Sequence, residues 1–140
     1  MYPQKITVAE HLLTQTYPSL QDPKILVSVL QNVLEALEDG VTRALDEARR
    51  NHEVPPYSDT LNGKLTAFKL HLAKKKGFTP IDFMLISEIQ EILSQHKISP
   101  VEFRKKNILV IADEEYHLRT LSEDKTKTYL RRAKALLARI

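Results

Sequence analysis

Between Pro23 and Pro55 no proline interrupts the chain, and Gly40 is the sole glycine. Within this stretch Leu26, Leu30, Val33, Leu37, Val41, Ala44 and Ala48 recur at steps of four and three residues, the rhythm that lines one face of an α-helix. Ile25, Val27, Val29, Leu34, Ala36 and Leu45 widen the stripe beyond an ordinary amphipathic face. A helix apolar over so much of its circumference packs on several sides. A helix over about 23–50 is therefore expected at the centre of a bundle, and the rest of the chain has to surround it.

The punctuation around that helix predicts what surrounds it. Thr7-Val8-Ala9-Glu10 has the form of a capping box and predicts a short first helix, ending near Thr16 because Pro18 disfavours helical geometry at Tyr17. Asp22-Pro23 reads as N-cap and first residue of the long helix. Pro55-Pro56 mark a loop, after which Ser58 or Asp59 can cap a third helix. Lys74-Lys75-Lys76 followed by Gly77 is a strong stop signal. Thr79-Pro80-Ile81-Asp82 opens a fourth helix. Ser99-Pro100-Val101-Glu102, a second capping box, predicts a fifth, and Ser122 or Thr120 caps a sixth over 123–139. Asn107-Ile108-Leu109-Val110-Ile111-Ala112 is a β-branched apolar run that also fits a buried strand. A lone strand has nowhere to pair in a helical chain, so helix is the expected state there.

Composition narrows the class. A chain of 140 residues with 42% hydrophobic side chains suits one domain with a real core. Three glycines and 6% aromatics disfavour a many-stranded sandwich or barrel. The absence of cysteine excludes disulfides, thiolate metal sites and a cysteine nucleophile. No apolar run approaches the roughly 20 residues of a membrane span, and the first residues lack the apolar core of a signal peptide. A cytoplasmic, all-α single domain over 1–140 is expected, with about six helices.

Charge is uneven along the chain. Residues 1–63 carry 5 basic and 9 acidic side chains, net −4, and residues 64–140 carry 16 and 9, net +7. Two basic groups stand out. Lys64, Lys69, Lys74, Lys75 and Lys76 follow one another with no acid between them, and Lys125, Lys127, Arg131, Arg132, Lys134 and Arg139 mark the last helix. Lys74, Lys75, Lys76, Arg131, Arg132 and Lys134 are the nucleic-acid-binding candidates, since clustered cations can neutralise phosphates. The same residues also suit a helix C-terminus and a solvated outer face. Phe68, Phe78 and Tyr129 sit at turn or stripe positions and read as core, which disfavours base stacking.

Glu35 and Asp39, four residues apart, project from one helix face and are the metal candidates. Asp113, Glu114 and Glu115 could supply further ligands. Ser28, Gln31, Glu35, Asp39, Thr42, Asp46 and Arg49 together also describe an ordinary solvated face. None of the five histidines pairs with another at metal-ligand spacing, and His117, close to three acids, is a general-base candidate. There is no G-x-S-x-G, P-loop or dinucleotide fingerprint.

Leu34-Glu35-Ala36-Leu37-Glu38-Asp39-Gly40-Val41 resembles the signature helix of the ribonuclease III domain over about eight residues. That resemblance implies metal-dependent hydrolysis of double-stranded RNA with Glu35 and Asp39 as Mg2+ ligands. The family places glycine before the aspartate, where this chain has Glu38. In outline the chain also resembles the HEPN helical bundles, many of them RNases or toxin components. Their catalytic arginine precedes histidine by four to six residues, a spacing no arginine here has.

Three functions follow from these features. The first is a non-enzymatic helical interaction module that self-associates as a homodimer, with no cofactor and no membrane. The alternatives are an RNA- or DNA-binding accessory protein and a ribonuclease III-like, Mg2+-dependent nuclease.

Overall fold

The computed structural model of the chain describes residues 2–98, 101–105, 108–112, 115 and 117–140. A helical path opens the chain as α1 (Tyr2–His11), a π-turn (Leu12–Thr16) and α2 (Tyr17–Leu20). The long α3 (Lys24–Arg50) follows, then α4 (Leu61–His71), α5 (Ala73–Lys76) and α6 (Pro80–Ile98). Three short strands, β1 (Val101–Lys105), β2 (Ile108–Ala112) and β3 (Leu118–Leu121), precede α7 (Glu123–Leu137).

The wide stripe of α3 does what its pattern predicts. Leu26, Val29, Leu30, Val33, Ala36, Val41 and Leu45 are all fully buried. The helix packs against α1, the π-turn, α4, α6 and α7, which accounts for apolar residues around most of its circumference. It starts one residue later than expected, at Lys24 with Pro23 in the N-cap position, and Asp22 Oδ1 accepts from the Lys24 N–H at 3.0 Å. The mostly α-helical bundle around α3 is the expected architecture.

Several boundaries differ from expectation. Thr7 stands inside α1, where its Oγ1 donates to the Pro3 carbonyl at 2.9 Å, so the capping box does not start the helix. Nor does Pro18 end it. A regular α-turn would press the proline ring against the carbonyl four residues earlier. The π-turn inserts one extra residue, the Tyr17 N–H reaches back to the Leu12 carbonyl, and the helical path continues to Leu20. Gln21, at φ 50°, then stops it. Thr60, not Ser58 or Asp59, caps α4, its Oγ1 accepting from the Gly63 N–H at 3.0 Å.

Other signals act as read. Gly77 closes α5 at φ 74°, a conformation that favours glycine. Asp82 Oδ2 accepts from the Thr79 N–H at 2.9 Å at the start of α6. Ser122 Oγ accepts from the Lys125 N–H at 3.2 Å at the start of α7. Phe68, Phe78 and Phe83 form a three-ring cluster, with Phe68 and Phe78 edge to face at 4.8 Å between centroids.

The main correction concerns residues 99–121. Ser99 and Pro100 lie outside the described residues, but Val101–Lys105 is a strand and not the opening of a fifth helix. The apolar run is β2, the centre of an antiparallel sheet of order β1-β2-β3. Phe103 pairs with Val110 on one side, and Ile111 pairs with Arg119 on the other. The run therefore has the two partners that a helical reading denies it. Leu109 and Ile111, fully buried, join the bundle core, and β2 packs beside α6. Among the described residues no helix is long and apolar enough to cross a membrane.

Candidate functional site

Glu35 and Asp39 do lie on the solvent side of α3, but α1 crosses beside them. Lys5 Nζ sits 2.7 Å from Glu35 Oε2. The hydrogen bond and charge of Glu35, with a smaller contribution from Asp39, hold the Lys5 ammonium above the usual lysine range. The cation near this carboxylate pair is thus an ammonium supplied by the chain. Among the described residues no group of three or more His, Asp or Glu side chains gathers as a metal site requires. Asp113 and Glu114 lie outside the described residues, and Glu115 pairs instead with His117, Nδ1 to Oε2 at 3.7 Å on the surface. Gly40, part of the signature-like octapeptide, has a packing role. A Cβ there would lie 2.7 Å from Leu137 Cδ2, so its absence lets α7 approach α3 closely.

The two basic groups meet end to end. Lys76 Nζ lies 3.4 Å from the Ile140 carbonyl, and Arg139 donates to the Gly77 carbonyl at 3.0 Å, which joins α5 to the C-terminal end of α7. Lys75 is ion-paired with Glu53 at 3.3 Å, and Lys74 is exposed. Further up α7, Arg131 and Arg132 diverge, because adjacent helical residues point about 100° apart. Arg131 faces the N-terminal helical path with Lys127 and Lys134, where Lys134 Nζ meets Glu10 Oε1 at 2.6 Å. Arg132 faces α6.

That second direction leads to features the motif reading passed over. Ile81 and Met84, one turn apart on α6, are 64% and 68% exposed. They line a groove of about 320 Å3 with Leu85, Glu88, Glu91 and Arg132. The buried row of α6 is Leu85, Ile86, Ile89, Ile92 and Leu93, and Met84 projects away from it. The signal was present in the sequence as more apolar positions on this helix than one packed face needs. Arg119 clamps the far end, its Nη2 2.9 Å from Glu91 Oε2.

Tyr129 of α7, a core residue as expected, is 3% exposed. Among the described residues no hydrogen bond of good geometry reaches its hydroxyl, although Glu88 stands close enough to act on it. Burial, followed by the negative charge of Glu88, pushes its pKa up to about 12. Chemically, the surface between α6 and α7 can bury apolar side chains and exchange ion pairs. Comparison with family models, with curated proteins and with solved structures finds no match to this chain.

Proposed function

We propose that the chain is a non-enzymatic helical interaction module that self-associates through the outward face of α6. The observation that carries this reading is the exposure of Ile81 and Met84 side by side at the mouth of a groove. Two large apolar side chains on one turn are better hidden than solvated, each being worth roughly 1.5–3 kcal/mol on full burial.

Charge placement argues for a second copy as the occupant. Glu88 and Arg132 both line the groove, so one patch carries an acid and a base beside its apolar centre. A two-fold interface sets each patch against itself, with Glu88 of one copy opposite Arg132 of the other. Nucleic-acid binding draws less support, because the cations of α7 turn to different sides, Arg131 to the N-terminal helical path and Arg132 to α6, and present no single basic face. The nuclease reading draws less still, because Lys5 sits against Glu35.

Sedimentation velocity across a wide concentration range tests the proposal. The expected result is a concentration-dependent dimer that the double substitution Ile81→Glu and Met84→Glu abolishes while the helical circular-dichroism signal and melting temperature stay unchanged. A wild-type chain that remains monomeric into the hundreds of micromolar would overturn it. So would a dimer indifferent to the double substitution.

A further inference from the structure

The groove on the opposite flank of α7 is independent of the α6 face. It is a shallow, open groove of about 330 Å3 lined by Leu13, Thr14, Lys127, Leu130, Arg131 and Lys134. We infer that this groove is a binding site for an organic phosphate monoester.

Its volume lies in the range of small-molecule sites. Its floor is apolar, since Leu13 and Leu130 are core side chains that reach it from the π-turn and from α7. Its rim is cationic. Lys127, Arg131 and Lys134 stand at steps of four and three residues, so they share one ridge of the helix.

The existing ion pairs sort these cations. Lys127 is held by Glu123 at 3.0 Å and Lys134 by Glu10 at 2.6 Å, on the two sides of the ridge. Between them Arg131 has no carboxylate within ion-pair distance among the described residues. A guanidinium offers a planar fork that matches two oxygens of one phosphate, which an ammonium cannot do. The monoester dianion needs a second positive charge, and either lysine can supply it, because exposed ion pairs cost little to open. The apolar floor gains contact only from a ligand with an organic part. A monoester is therefore preferred over inorganic phosphate.

The geometry also places the π-turn at the site. Leu13 and Thr14 belong to the segment that widens to pass Pro18, so the irregular turn forms one wall of the groove.

Amide chemical shifts of the 15N-labelled protein, followed during titration with phenyl phosphate and separately with inorganic phosphate, test the inference. Phenyl phosphate is expected to bind at least tenfold more tightly than inorganic phosphate and to move the amides of Leu13, Thr14 and Leu130. Arg131→Gln is expected to weaken it at least tenfold while the melting temperature holds. Equal affinity for the two phosphates would overturn the inference, as would an Arg131→Gln protein that binds normally. Binding of a 5′-hydroxyl single-stranded RNA to these residues, with no response to phenyl phosphate, would also overturn it, in favour of a nucleic-acid surface.

Discussion

Lys5 Nζ stands 2.7 Å from Glu35 Oε2, so a side chain of α1 already answers the acid that a metal would need. Both partners are well exposed, and exposed pairs contribute little to stability. Lys5→Met is expected to leave the urea-melt midpoint close to that of the wild type. In the wild-type chain, millimolar Mg2+ is expected to leave the carboxyl carbon resonances of Glu35 and Asp39 unmoved. Site-specific shifts that saturate with Mg2+ would restore the nuclease reading.

The buried Tyr129 hydroxyl gives a pH-dependent prediction. Its pKa is raised to about 12 from the ordinary 10, so the folded chain keeps a proton that the unfolded chain releases. Stability from this group is complete below pH 10 and is lost as pH rises towards 12. Tyr129→Phe removes a buried hydroxyl that no hydrogen bond of good geometry reaches among the described residues, and is expected to change stability at neutral pH by no more than about 1 kcal/mol. Paired urea melts at neutral and strongly alkaline pH should show the variant losing less stability than the wild type. Tyr17 and Tyr57, also raised mainly by burial, are common to both proteins and drop out of the comparison.

Close packing of α7 on α3 makes Gly40 sensitive to size. A Cβ meets Leu137 Cδ2 at 2.7 Å and Ile140 Cδ1 at 3.1 Å, both the ends of flexible side chains. Gly40→Ala gains about 1 kcal/mol of helix propensity and spends a similar amount moving those ends, for a net change within about 1 kcal/mol. Gly40→Val adds branches that have no such space and is expected to cost at least about 2 kcal/mol. Equal melting temperatures for the two variants would contradict this packing.

Burial along β2 falls off only at its first residue. Ile111 is fully buried against the bundle, whereas Ile108 is 37% exposed at the start of β2. Ile111→Ala is expected to cost about 2–5 kcal/mol. The same change at Ile108 should cost about 1 kcal/mol or less, because little of its contact area is core. Similar losses at both positions in thermal melts would argue against the register found here.

The long central helix was legible because its information is local. Periodicity over residues 26–48 names the buried face without reference to any partner, and Asp22, Gly77, Asp82 and Ser122 act on backbone groups within a few residues. Pro18 was less legible, since a proline signals a conflict in the helix but not whether the backbone ends or widens around it. The strands were hidden for a different reason. Strand β2 needs β1 and β3, short segments of sequence VEFRK and LRTL whose own patterns are too polar and too brief to announce a sheet.

The candidate surfaces show the same division. Sequence alone located Arg131, Arg132 and Lys134 on one helix and Glu35 and Asp39 on another, because spacing along a helix sets which residues share a face. It could not say that Arg131 turns to the π-turn and Arg132 to α6, or that Lys5 reaches Glu35. Those outcomes depend on which helices flank α7 and α3, which long-range burial decides. What the sequence by itself determined was an apolar central helix, most of its neighbours' caps and the charge of each segment. Tertiary structure alone decided the sheet, the pairing of cations with carboxylates and the exposure of Ile81 and Met84. Most of these outcomes depend on which elements pack together, which burial over the whole chain settles and no single segment encodes.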